Sequence, residues 1–247
     1  MRSIQEIEDF DQKHKEALRK IWFCGDPHNR FDHVEALLTQ AVSDGDPPNW
    51  LVFLGDLDLE GQSIRDVIER FRRRHPAVKV AFIHGNHDAD THEKWALLHD
   101  CGDASALHGQ VVDLDGILVA GLGGNFLGRV WAPPGKVVFE TREQAMGGPN
   151  PRRKPNPKLH GAIYPEEYKR LAEKRADVLV THEAPSCHHH GWAVLDELAR
   201  SLGVYRSFHG HTHDDLSGHY EMKLLQLGFD ARAVDGCRVK NGLGKKW

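Results

Sequence analysis

Short apolar runs alternate with polar loops and amphipathic stretches along most of this chain. Lys20–Cys24, Trp50–Leu54 and Val78–Ile83 are apolar runs of strand length. Helical patterns follow over Asp32–Val42 and Gln62–Arg74, and a further helix is expected from Asp90, where Asp90 and Glu93 have capping-box spacing. Ile117–Gly121, Asp177–Val180 and Val204–Phe208 read as later strands, with helices over Pro165–Arg175 and Trp192–Ser201. Leu224–Leu227 and Gly236–Lys240 read as strands and turns. In residues 3–19, Ile4, Ile7, Phe10, His14, Ala17 and Leu18 recur at helical spacing, which predicts an amphipathic N-terminal helix. Strand–loop–helix alternation of this kind predicts an α/β architecture.

The rhythm breaks between Gly123 and His160, a segment rich in Gly, Pro and basic residues. Within it Pro149–Lys158 carries four Pro, four Lys or Arg and no acid, so neither a helix nor a central strand suits it. It reads as a solvated surface loop, or as a basic flap that meets an anionic substrate. The sequence shows no internal repeat and no linker, so residues 1–247 read as a single domain, with an N-terminal helix over 1–19 and an insert loop over 123–160.

Five motifs follow the apolar runs directly. They are Gly25-Asp26-Pro27-His28, Gly55-Asp56, Gly85-Asn86-His87-Asp88, Thr181-His182 and Gly210-His211-Thr212-His213. In open α/β sheets ligands gather at the carboxyl ends of strands, so five such turns converge on one edge. Asp, Asn and His without Cys suit divalent cations bound through oxygen and imidazole nitrogen. The Gly that opens most of these turns lets the backbone bend sharply beside a crowded site. A lone Gly-Asp carries little information. Gly-Asn-His-Asp in a row arises by accident in well under about one such chain in a hundred.

In these motifs the chain resembles the calcineurin-like metallophosphoesterases, whose pattern runs Asp-x-His, Gly-Asp, Gly-Asn-His-Asp or -Glu, His, then Gly-His-x-His. The match runs from Asp26 to His213. The resemblance implies a four-layer α/β/β/α sandwich with a dinuclear metal site at the strand ends. It implies that Asp26, His28 and His213 bind one metal, that Asn86, His182 and His211 bind the other, and that Asp56 bridges both. It further implies that His87 faces the substrate phosphate and stabilises or protonates the leaving oxygen, with Asp88 orienting His87 through a hydrogen bond. The chain departs from the Gly-Asp-x-Val-Asp-Arg-Gly of the Ser/Thr phosphatases and diadenosine polyphosphate hydrolases, since Leu59 and Glu60 stand where Asp and Arg would be.

Two cations about 3.5–4 Å apart can hold a hydroxide between them and clamp a phosphate oxygen, so no protein nucleophile is needed and water attacks directly. The expected activity is metal-dependent phosphoester hydrolysis, with a diester favoured over a monoester; a nuclease and a catalytically silent scaffold are the alternatives. Manganese is the expected metal, with Fe, Zn, Co or Ni also compatible with the ligand set.

Other features change the picture less. Asn29 and Arg30 follow the first motif, where guanidinium would suit a phosphate at the rim or simply face water. Cys187-His188-His189-His190 reads as a polar loop, because consecutive residues converge poorly on one ion. The Gly-rich run before Asn125 lacks the Lys and Ser/Thr of a P-loop and reads as backbone making room. His84 and His209 read as structural, and His33, His75, His99 and His108 carry no functional expectation. A net charge of -4 gives no basic field, which weighs against a nucleic-acid substrate. Four widely spaced Cys form neither a zinc nor a disulfide pattern, so a reducing compartment is expected. With no apolar leader at the N-terminus and no run long enough to span a bilayer, the expectation is a cytoplasmic protein without a membrane partner, acting on a small or medium phosphoester and able to form a homo-oligomer.

Overall fold

The structure is a computed structural model that describes residues 1–147, 155–213 and 227–246. Its elements run α1 (Ile4–Lys13), α2 (Lys15–Arg19), β1 (Ile21–Cys24), α3 (Asp32–Ser43), β2 (Trp50–Leu54), α4 (Ile64–Arg72) and β3 (Lys79–Ile83). Then come α5 (His92–His99), β4 (Ser105–Ala106), β5 (Val111–Leu114), β6 (Ile117–Leu122), α6 (Arg142–Met146) and α7 (Pro165–Ala172). The chain continues through β7 (Val178–Thr181), α8 (Ala193–Leu202), β8 (Arg206–His209), β9 (Asp230–Ala233) and β10 (Val239–Asn241).

These strands form two five-stranded sheets, ordered β10-β1-β2-β3-β4 and β5-β6-β7-β8-β9. Strands β1 to β4 pair in parallel, as do β6 to β9, while β10 and β5 are antiparallel edges. Side-chain alternation along the strands sorts the core into layers. Ile21, Phe23, Val52, Leu54, Ala81 and Ile83 of the first sheet meet Val119, Val178, Val180 and Phe208 of the second. Phe23 and Phe208 stack across that gap at 4.0 Å between ring centroids. The opposite face of the first sheet, with Trp22, Leu51, Phe53 and Phe82, packs on Val34 and Leu38 of α3 and Val67 and Phe71 of α4. The outer face of the second sheet, with Ala120, Leu179 and Ala231, packs on Leu171 of α7 and Leu195, Leu198 and Leu202 of α8. The result is the α/β/β/α sandwich expected from the resemblance.

Several expectations shift in detail. The N-terminal helix is two helices that meet at His14. The cap of α5 is Thr91, whose hydroxyl accepts from the Lys94 N–H, rather than Asp90, because Asp90 spends its carboxylate elsewhere. The segment 123–160 is less of a loop than expected: it contains α6, opened by a capping box between Thr141 and Gln144, and a 3-10 turn at Pro157–Leu159. A small cluster of Val130, Ala145, Ala162 and Tyr164 gives it a core of its own. The expected strand at Leu224–Leu227 lies outside the described residues except for Leu227, as does most of Pro149–Lys158. No helix among the described residues is long and apolar enough to cross a membrane.

Candidate metal centre

Each of the five motifs begins at the carboxyl end of a parallel strand, three after β1–β3 of the first sheet and two after β7 and β8 of the second, and all meet at one edge of the sandwich. The backbone there is strained. His28, Asp56, His211 and His213 all take positive φ, between 44° and 64°, a region that side-chain-bearing residues seldom occupy away from functional sites. Glycine serves this edge through space more than through turning. A Cβ on Gly85 would stand 2.2 Å from Asp56 Oδ1, and one on Gly210 would stand 2.4 Å from Asp26 Oδ1. Neither residue needs positive φ; each is small because a carboxylate occupies the position of its side chain.

One group of side chains surrounds His182, which is fully buried. Its Nδ1 donates to the Leu54 carbonyl at 2.9 Å, which turns Nε2 towards Asn86 Oδ1 at 3.0 Å and Asp56 Oδ2 at 3.4 Å. A ring nitrogen donated to a backbone carbonyl is the usual way a metal-ligating imidazole is oriented. One ligand atom each from Asp56, His182 and His211 lie within 4.8 Å of one another. The second group surrounds Asp26, also fully buried. His213 Nε2 lies 3.1 Å from Asp26 Oδ2 and 3.2 Å from His28 Nε2. Ligand atoms about 2.0–2.1 Å from a common ion are separated by about 3.0–3.4 Å, and the contacts of His182 Nε2 and of His213 Nε2 each fall near that spacing, while only Asp56, His182 and His211 form a mutually close set among the described residues.

The donor chemistry of the edge fits cations. Asp26 Oδ1 is buried without a hydrogen-bond partner. Burial alone would raise the Asp56 carboxyl, but the charge of His182 and the N–H groups around it hold it below the usual carboxylate range. Burial would likewise lower His182, yet Asp56 and Asp26 push it up to about 10. Two buried carboxylates beside these imidazoles favour positive charge at the edge, which divalent cations supply while leaving the imidazoles neutral as ligands.

His87 stands in a 3-10 turn, His87–Ala89, with its side chain 46% exposed and its ring 5.5 Å from that of His28. It therefore opens beside the centre. Its partner is not the expected one. His87 Nδ1 lies 2.8 Å from Asp90 Oδ2. Asp88 is buried beneath the turn, where its two oxygens accept from Gly85 N at 2.8 Å and Asp58 N at 2.7 Å. Asp88 thus ties the second motif to the third, and burial together with the nearby Asp56 charge pushes it up to about 7.

Two further groups carried no site role in the sequence reading, where Asp58 did not stand like an obvious ligand and Asp90 was expected only as a helix cap. Asp58, 3.5 Å from His28 Nδ1, is paired in turn with Lys94 of α5, which also holds Glu60 at 3.0 Å. Only the positive φ of Asp58 singles it out, and that is invisible without the structure. Asp90 carried a signal, since a residue three positions beyond His87 can fold back onto it in a tight turn. Asn29 is tied down, accepting from Gln62 Nε2 at 2.9 Å, while Arg30 stands exposed at the edge of the first loop. Of the basic stretch, the described Lys158 pairs with Asp90 at 3.0 Å. His84 and His209 are buried, and burial pushes His209 down to about 3. Around Cys187–His190, Cys187 and His188 are buried while His189 and His190 face outward.

The chain is similar to known proteins in sequence and in fold. The family model described as calcineurin-like phosphoesterase matches residues 19–215. An uncharacterized protein of Haemophilus influenzae is 32% identical over 225 residues, covering 86% of this chain and 92% of that protein. A solved crystal structure superposes with a TM-score of 0.54 at 16% identity, covering 93% of this chain and 97% of its own, a likeness of fold. The Thermus thermophilus sulfate thiohydrolase SoxB in complex with glycerol matches with a TM-score of 0.40 at 13% identity, over 90% of this chain and 40% of that one. The chain belongs to the calcineurin-like phosphoesterase family. It is a hydrolase of phosphoesters whose activity depends on divalent metal.

Proposed function

We propose that this protein is a dinuclear phosphodiesterase of the cytoplasm, active with manganese on a small or medium phosphoester. Asp26, His28 and His213 hold one cation, Asn86, His182 and His211 hold the other, and Asp56 lies between them. The observation that carries this reading is the spacing of the donors: His213 Nε2 lies 3.1 Å from Asp26 and 3.2 Å from His28, and His182 Nε2 lies 3.0 Å from Asn86 and 3.4 Å from Asp56. Bound cations supply a water nucleophile at neutral pH and neutralise charge building on phosphorus. The side chains do the rest. The buried carboxylates fix the donors, His87 meets the leaving oxygen, and Asp58 and the Leu54 carbonyl orient the ligating imidazoles. Arg30 meets phosphate at the rim. The chain acts as one domain, supported by the apolar core shared between the two sheets. The wide spacing of the four cysteines along the chain supports a reducing compartment.

The test is hydrolysis of bis(4-nitrophenyl) phosphate beside 4-nitrophenyl phosphate, using chelator-stripped protein with and without manganese and His87→Ala as control. Manganese-dependent diester turnover that the control lacks is the expected result. Faster monoester turnover would move the reading to a phosphatase, and absence of turnover of both would contradict it.

A further inference from the structure

The geometry points to Asp90 and Lys158 as positioning residues for His87, with the described residues of 123–161 serving as the support of the group that faces the substrate. The inference rests on the role of His87 proposed above. A half-exposed imidazole on a single 3-10 turn has several rotamers open to it, and a leaving-group contact needs one of them. Asp90 Oδ2, 2.8 Å from His87 Nδ1, selects that rotamer and sets the tautomer. With the Nδ1–H donated to Asp90, Nε2 is the atom left for the substrate.

Asp90 is itself held from the far side. Lys158 Nζ lies 3.0 Å from Asp90 Oδ1. Lys158 sits in the 3-10 turn Pro157–Leu159, whose Asn156 side chain accepts from Lys158 N at 3.0 Å. Tyr164 Oη donates to the Leu159 carbonyl at 2.9 Å, and Arg142 donates to the His160 carbonyl. Arg142 is clamped by Glu167 of α7 at 2.9 and 3.2 Å. The same segment lies flush on the His87 turn. A Cβ on Gly161 would stand 3.0 Å from Ala89 Cβ and 3.3 Å from the Gly85 carbonyl. His92 Nε2, just beyond Asp90, lies 3.1 Å from the Pro155 carbonyl. A continuous set of fixed groups therefore runs from α7 through Arg142 and the Pro157–Leu159 turn to Asp90 and His87. Lys158 is 55% exposed, so its ion pair is the weaker link and Asp90 the stronger one.

The experiment compares Asp90→Asn, Asp90→Glu, Lys158→Ala and the double variant His87→Ala/Asp90→Asn, with Lys136→Ala as an exposed cation of the same segment. Loss of a partner that orients an active-site imidazole costs about 10- to 100-fold in activity. Asp90→Asn is expected to lower kcat on bis(4-nitrophenyl) phosphate by that factor, with KM and metal content unchanged. Asp90→Glu recovers part of the loss, Lys158→Ala loses less, and Lys136→Ala loses nothing. The double variant is no slower than His87→Ala, because residues acting as one unit are not additive. A second readout needs no turnover: metal-free protein labelled with nitrogen-15 histidine shows a low-field Nδ1–H proton that disappears in both His87→Ala and Asp90→Asn. The proposal is overturned if that proton survives in Asp90→Asn, or if Asp90→Asn slows His87→Ala as much as it slows the unmodified protein. If His87→Ala turns over normally, the assigned role of His87 falls and this proposal with it; a slow His87→Ala beside a normal Asp90→Asn overturns this proposal alone.

Discussion

His182 and His213 approach different oxygens of Asp26, Oδ1 at 3.7 Å and Oδ2 at 3.1 Å, and their surroundings differ. His182 is fully buried, with Nδ1 donated to a backbone carbonyl and Nε2 facing Asn86 and Asp56. His213 is 47% exposed, takes a left-handed backbone conformation itself and meets Asp26 through its Nε2. Its neighbour His28 is 22% exposed, with Asp58 at 3.5 Å from Nδ1. One half of the centre is thus assembled by the fold itself, while the other gathers the half-exposed His213 and the partly buried His28 around one buried carboxylate. An ion at the outer half must order side chains that water otherwise surrounds, and that ordering costs free energy. The comparison predicts that a chelator removes the outer cation first, in two resolved phases of metal release.

Asp56→Asn tests the link between the halves and carries the largest expected effect. Metal analysis should show both cations weakened together, and turnover should fall by roughly 10³-fold. Loss from one half alone would break the bridging role of Asp56. The contrast in burial is sharpened by urea denaturation of metal-free protein. His182→Ala should cost about 2–4 kcal/mol, because it empties a packed position and leaves the Leu54 carbonyl without its donor. His213→Ala should stay within about 0.5 kcal/mol. Equal costs would erase the distinction between an inner and an outer half.

Glu167 provides a reference outside both halves. Burial alone would raise its carboxyl, but the hydrogen bond from His108 and the charge of Arg142 hold it at about 2, against an unperturbed 4.5. The depressed value means that its contribution is complete above about pH 4.5 and is lost as pH falls towards 2. Glu167→Gln should therefore cost about 3 kcal/mol near neutrality and flatten that acid limb of stability. It should leave two cations bound; loss of either would show that the Arg142 anchor reaches the centre itself. The smallest effect is expected at the exposed rim, where Arg30→Ala should raise KM by about 2–5-fold with kcat unchanged.

The sequence made the parallel strands and all seven candidate ligands legible for one physical reason. Strand-length apolar runs ending in Gly, Asp or His mark the place where a buried strand reaches a polar edge, as at Leu54-Gly55-Asp56 and Ile83-His84-Gly85-Asn86. Short or half-covered elements left no such mark. Strand β4 is two residues long, and β5 is an edge with partly exposed side chains. The capping box of α6, Thr141 with Gln144, was readable in principle but lies in a segment dominated by Gly and Pro. The partners of His87 and His28 depend on tight-turn geometry and on the placement of α5. Contacts such as His108 to Glu167, 59 positions apart, exist only once the second sheet has formed.

The most direct test of the dinuclear account is a manganese titration of stripped protein, with bound metal and diester turnover read in the same samples. The account predicts binding of two cations per chain, with turnover that stays low through the first and rises with the second. Full turnover with a single cation bound, or in Asp56→Asn, would contradict it.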